Sequence, residues 1–224
     1  MPRWNNLQGV SKKIQELKRE AVLKEAGRAF STRGYHNTSL DDVANALQIS
    51  KGSLYSYVKD KEEILFECHK IGNAISARAL EYGISQGGNG FNMLRNILLR
   101  EIELLTSEFG AYSVLTEIDA LRPGHRHIVA AERNRLVQGM HDIVKQGMAD
   151  GSIRRVNSNI VLMIFVGAIN WLPRWSTPGE MTPEELATNM TDILLSGVAP
   201  AKTPQTLPTV PESIEPLPSK APRK

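Results

Sequence analysis

From Leu47 to Lys61 the chain reads Leu-Gln-Ile-Ser-Lys-Gly-Ser-Leu-Tyr-Ser-Tyr-Val-Lys-Asp-Lys. Its functional groups are mostly hydroxyls and ammonium groups, which donate hydrogen bonds and carry positive charge. Such groups suit phosphate oxygens, and Lys51 and Ser53, with the small Gly52 between them, suit a base edge at close range. Leu54 is expected to point inward with Val43 and Leu47, leaving Tyr55, Ser56 and Tyr57 outward. Two exposed tyrosines at one spot are unexpected on a helix whose work is packing alone. Lys59 and Lys61 flank the segment.

Other groups offer less. His125 and His127 are two apart, diverge on one helix, and have no third ligand beside them, so no metal site is expected. Cys68 lies in an apolar stretch and reads as a buried filler. Gly87-Gly88-Asn89-Gly90 lacks the Lys-Ser/Thr of a phosphate loop and a preceding strand. No nucleophile elbow and no zinc-protease helix is present, so neither a cofactor nor a catalytic set is expected, and the chain is not expected to be an enzyme.

The elements that position these groups read as helix almost throughout. Val22, Ala26, Ala29 and Phe30 share one face of a helix from about residue 12 to Thr32, stopped by Gly34. Ser39 with Asp42, and Asp60 with Glu63, are capping patterns that open the next helix and a longer one to about Tyr82, with Gly83 to Gly90 a loop. Ser50 caps a short helix, Lys51 to about Tyr57. Phe91, Leu94, Leu98, Ile102 and Leu105 mark a further helix. Arg122-Pro123-Gly124 precedes another that ends at Ala149. The stretch 157–175 is apolar on nearly all sides and must be buried, in part by a second subunit. Thr182-Pro183-Glu184-Glu185 starts the last helix, which Gly197 ends. No stretch alternates like a strand, and the fold class is all-α.

Charge is distributed unevenly. Up to Lys59 there are ten Lys and Arg against five Asp and Glu, whereas the whole chain has 27 against 24. A basic first quarter fits a polyanionic partner. The most apolar run, Ile160 to Ile169, is about half a bilayer span, so no membrane helix is expected. The lone Cys68 and a start without an apolar signal core fit the cytoplasm.

The stretch of about forty residues from Val22 to Lys61 resembles the tetracycline-repressor (TetR) family of DNA-binding regulators. Val22, Ala26, Ala29-Phe30, Gly34-Tyr35, Thr38-Ser39, Val43-Ala44, Ile49-Ser50, Gly52, Leu54-Tyr55 and Lys61 follow the family pattern in order and spacing. Glu25 stands where an alanine is usual, and Tyr57-Val58 replaces His-Phe. Gln48 replaces the turn glycine, so it must accept a left-handed backbone. The resemblance implies a helix-turn-helix whose second helix enters a major groove. Its DNA-facing set would be Thr38, Ser39, Ser50, Lys51, Gly52, Ser53, Tyr55, Ser56, Tyr57 and Lys61, with Lys51 and Ser53 at base edges and Tyr55, Tyr57 and Lys61 on phosphates. Lys12, Lys13, Lys18 and Arg19 would add contacts or be solvated surface.

The resemblance further implies an N-terminal arm over 1–11, a DNA-binding domain over 12–60 and a ligand-binding and dimerisation domain over 61–199. The recurrent prolines over 200–224 imply a disordered tail. A homodimer would form through the last two helices, with Leu186, Met190, Ile193 and Leu194 at the interface. A palindromic operator would be released when a small molecule enters a cavity lined by Phe109, Tyr112, Leu115, Met140, Val144 and Trp171. No cluster of buried charges stands out, so the effector is expected to be an amphipathic lipophile. The segment Asn170 to Trp175 with Pro178-Gly179 resembles an acyl-CoA-responsive branch, although Pro173 stands where that branch has an aromatic. Arg122, Arg126, Arg133 and Arg135 would then face the phosphates of the coenzyme. The competing reading is a helical small-molecule binder or enzyme with an incidental helical hairpin.

Overall fold

The computed structural model describes residues 3–107, 114, 116–175 and 181–196, with side chains described over 12–107, 114, 116–172 and 181–196. Eight α-helices occur among them: α1 (Arg3–Arg33), α2 (Leu40–Ala46), α3 (Lys51–Tyr55), α4 (Lys61–Gln86), α5 (Gly90–Thr106), α6 (Pro123–Ala149), α7 (Ser158–Trp175) and α8 (Pro183–Ser196). A 3₁₀ turn, Ile118–Ala120, precedes α6, and no strand occurs among the described residues. Helix α1 begins at Arg3 rather than near residue 12, so the stretch expected as an arm is helical from Arg3 on.

The short helices are set by their caps. Ser39 accepts from the Asp42 amide at 3.1 Å while Asp42 accepts from the Ser39 amide at 2.8 Å, a complete capping box. The Ser50 hydroxyl accepts from the Ser53 amide, Asp60 from the Glu63 amide, and Thr182 from the Glu185 amide. Between α2 and α3 Gln48 takes φ 54°, the left-handed turn its place requires.

Two apolar clusters hold the chain together. The first joins Val22, Ala26 and Phe30 of α1 to Val43 and Ala44 of α2, Leu54 of α3 and Ile64, Leu65 and Cys68 of α4. The second packs Ile75, Ala79 and Leu80 of α4 against α5, α6, α7 and Ala187 of α8. Helix α4 therefore belongs to both, its first turns to one cluster and its second half to the other.

Gly83 lies inside α4 and not in a loop, because the helix continues to Gln86. It is buried where α5 crosses, and a Cβ there would stand 2.3 Å from Ile97 Cγ1 and 2.8 Å from the Met93 carbonyl. The same holds at Gly90, whose Cβ would be 2.3 Å from Gly147 Cα of α6. These glycines let helix backbones approach, whereas the turn itself uses Gly87 and Gly88.

Helix α7 buries Leu162, Phe165, Ile169 and Leu172 and presents Ile160, Met163, Ile164 and Trp171 to solvent, with Met163 68% exposed. Both sets follow helical spacing, so α7 has two apolar faces, and among the described residues only one is covered. No helix among the described residues is long and apolar enough to cross a membrane.

Candidate nucleic-acid interface

The surface is built on α3. Leu54 is fully buried under it, as Val43 is under α2, so the opposite side of α3 must face out. Lys51, Gly52, Tyr55 and Ser56 are exposed and Ser53 is partly so. Lys51 pairs with Asp41 of α2 at 2.9 Å, and that partner raises the pKa of the amine. Both groups are solvated, so the ammonium is free to exchange this carboxylate for an acceptor on a ligand. Tyr55 is 48% exposed and its ring is available to a second surface.

Several expected members of the set are placed otherwise. Thr38 is 2% exposed, and its hydroxyl lies 3.0 Å from the Gly34 carbonyl and 3.3 Å from that of Ala29. It locks the α1–α2 connection and presents no hydroxyl outward. Ser39 is exposed, but its hydroxyl donates to Asp42 at 2.7 Å. Tyr57 is half-buried against the first apolar cluster, not outward. The reason is local: α3 ends at Tyr55, and the Tyr57 and Val58 amides both bond the Leu54 carbonyl, turning the chain back onto the body. Lys61 holds its ammonium 4.1 Å from the Tyr35 ring centre and 5.9 Å from that of Phe30. Desolvation in this aromatic setting lowers its pKa. Lys12, Lys13 and Lys18 are exposed, whereas Arg19 is tied to α4 through Glu63 at 3.2 Å and Glu67 at 3.5 Å.

A second feature was missed in the sequence: a polar seam inside the body. On α4, His69, Asn73 and Ser76 fall at i, i+4 and i+7 on a face that is otherwise apolar. The Asn73 amide donates to the Val129 carbonyl of α6 at 3.1 Å, and Ser76 donates to Glu101 of α5 at 2.5 Å. Burial pushes the Glu101 carboxyl up, against the lowering effect of Ser76. His69 is 1% exposed, and burial together with the nearby Arg133 guanidinium brings its pKa down to about 4. Arg133 only donates, and its Nη2 lies 3.5 Å from His69 Nδ1, so the ring proton belongs on Nε2, which has no partner. The seam consists of polar groups whose burial disfavours their charged forms, so it adds no cluster of buried charges. The available signal was the 3.6-residue recurrence of polar residues within the apolar face of α4.

The seam continues to the start of α4. Glu62, 8% exposed, accepts from the Arg122 amide at 2.9 Å and faces His125 Nδ1 at 2.9 Å. The His125 ring stacks on Phe66 with centres 3.9 Å apart. Arg122 also pairs with Asp60, the cap of α4. Arg126 pairs with Asp119 and Arg135 with Glu132, so these arginines are engaged within the chain.

Of the expected cavity lining, Met140 and Val144 are buried in the second cluster, while Trp171 is on the outer face of α7, away from them. Phe109, Tyr112 and Leu115, and the stretch 200–224, lie outside the described residues. Among the described residues no group of His, Cys, Asp and Glu could hold a metal ion. Cys68 is fully buried, which raises its pKa.

Residues 22–68 match the family described as bacterial regulatory proteins, tetR family, and residues 92–198 match the tetracyclin repressor-like C-terminal domain. The chain belongs to the TetR family. It is similar to the transcriptional repressor KstR2 of Mycobacterium tuberculosis, 24% identical over 186 residues that cover 81% of this chain and 92% of that one. Among solved structures it resembles the TetR family regulator PfmR of Thermus thermophilus, at 28% identity and a TM-score of 0.67, covering 80% of this chain and 99% of that one. It also resembles AibR in complex with isovaleryl coenzyme A and operator DNA, at 25% identity and a TM-score of 0.65, covering 79% and 97%. The capped α2–α3 unit is thus the helix-turn-helix of a TetR-family transcription regulator.

Proposed function

We propose that this regulator is a cytoplasmic, homodimeric repressor that is not an enzyme and that leaves a palindromic operator when an amphipathic small molecule enters its C-terminal body. The observation that carries the reading is α3 itself: a helix with its inner face sealed by Leu54 and its outer face offering Lys51, Gly52, Ser53, Tyr55 and Ser56. Lys51 and Ser53 take base edges; Tyr55 and the free amides at the start of α3 take phosphates. The two uses of α4 supply the coupling, because it carries part of the DNA-binding cluster and lines the polar seam. An effector that spreads α4 from α6 acts directly on the helix-turn-helix.

The dimer is assigned to α7 and α8. Ile160, Met163, Ile164 and Trp171 form an exposed stripe, and Gly167 lies within it with open space where a Cβ would be, which permits a second helix to approach. On α8 Ile193 is exposed and suits the interface. Leu186, Met190 and Leu194 are partly buried against their own core and contribute at its margin. The seam gives the effector a polar end to meet: the unpartnered His69 Nε2–H calls for a carbonyl or carboxylate oxygen. An acyl thioester has such an oxygen, and the likeness to AibR supports trying this class first.

Electrophoretic shift with the DNA flanking the chain's own gene tests the reading. A retarded complex dissolved by an acyl-CoA or a free lipophile is expected. Release by free lipophiles but by no CoA thioester removes the acyl-CoA assignment and leaves the repressor. Failure to shift any flanking DNA above random DNA contradicts the repressor.

A further inference from the structure

A second polar site lies away from both the DNA-binding face and the interior seam. Helices α5 and α8 enclose an open groove of about 360 Å³. Arg95 enters it from α5 and Asp192 from α8. Among the described residues Arg95 makes no hydrogen bond or ion pair, and Asp192 has only the Ser196 hydroxyl, at 3.4 Å. Two opposite charges thus face one groove without pairing with each other. Thr191 also lines it, 1% exposed, with a hydroxyl that has no partner. Phe91 and Leu195 give the groove an apolar side. A buried hydroxyl without a partner is disfavoured in a finished core, and is consistent with a ligand that supplies the missing bond.

We propose that this groove binds a free α-amino acid with an apolar side chain. The ligand's carboxylate meets Arg95, its ammonium meets Asp192, Thr191 bonds the carboxylate, and the side chain lies on Phe91 and Leu195. An anion alone would meet Asp192 unfavourably and a cation alone would meet Arg95 unfavourably; a zwitterion satisfies both. The groove uses the flank of α8 that carries Thr188, Asp192 and Leu195. Leu186, Met190 and Ile193 do not line it. The site depends on neither DNA binding nor the interior effector.

Calorimetric titration of the full chain with L-leucine and L-phenylalanine, with N-acetyl-L-leucine and L-leucinamide as probes lacking one charge, decides the matter. Saturable binding of both free amino acids is expected, weakened at least tenfold for each blocked derivative. Arg95→Gln and Asp192→Asn should each weaken leucine binding to a similar degree, with unchanged circular dichroism, since both side chains are on the surface. No saturable binding of either amino acid overturns the proposal. So does a blocked derivative that binds as tightly as leucine, or a charge variant that binds like the wild-type chain.

Discussion

Thr38 shows how a residue of the right type falls out of a binding set. Its position matches the family pattern, yet its hydroxyl is committed to two carbonyls of the α1–α2 connection. Thr38→Val should therefore destabilise the fold by roughly 1–3 kcal/mol, the cost of stranding buried acceptors, while the folded fraction still binds DNA; thermal unfolding beside anisotropy separates the two effects. Tyr57 is turned inward for a related reason, since a helical wheel drawn past Tyr55 does not apply once the helix has ended there. The buried ionisable groups predict a pH dependence. His69 has a folded pKa near 4 against an ordinary value of 6.5, so the unfolded chain binds the extra proton first as pH falls. Its contribution to stability is full above about pH 6.5 and fades toward pH 4, by about 3 kcal/mol at most. Glu101 acts in the opposite sense: its raised pKa means stability is lost as pH rises through the carboxylate range and above. His69→Phe should flatten the acidic limb of the stability curve, and Glu101→Gln should raise stability at neutral pH. An unchanged acid limb in the His69 variant would place the charge burden elsewhere.

Among the elements, α2, α3, the start of α4 and α8 were legible because caps are local: Ser39–Asp42, Ser50, Asp60–Glu63 and Thr182–Glu185 announce themselves within four residues. Gly83 was not legible, because its glycine answers to Ile97 and Met93 of another helix and not to a turn. Gly83→Val should force α4 and α5 apart and cost about 1–3 kcal/mol or more, with a lower unfolding midpoint and unchanged helix boundaries elsewhere. At Gln48 the direction reverses. A non-glycine residue at φ 54° is mildly strained, so Gln48→Gly should stabilise the turn by up to about 1 kcal/mol. Loss of stability in that variant would show that the Gln48 side chain matters more than its backbone. The seam on α4 went unread because polar residues at i, i+4 and i+7 look like an exposed stripe until α5 and α6 are placed over them.

For the whole molecule, the apolar periodicity of α7 indicated burial on nearly all sides, and the described residues cover only one of its faces. The other fits a second copy. Met163→Glu should put an unpaired charge into that interface and yield a monomer by light scattering, with native helicity. Leu194→Glu is the poorer probe, since Leu194 packs against its own core. In the proposed dimer each chain supplies one α3 helix to the DNA duplex. The most direct measurement is fluorescence anisotropy at fixed salt on the duplex flanking the gene and on a random duplex, for the wild-type chain, Lys51→Ala and Tyr55→Ala. The wild type should prefer the flanking duplex. Lys51→Ala should lose roughly 1–3 kcal/mol of that preference, and Tyr55→Ala should weaken binding to both duplexes. Equal affinity of all three proteins for both duplexes would contradict the assignment of α3 as the helix that reads DNA.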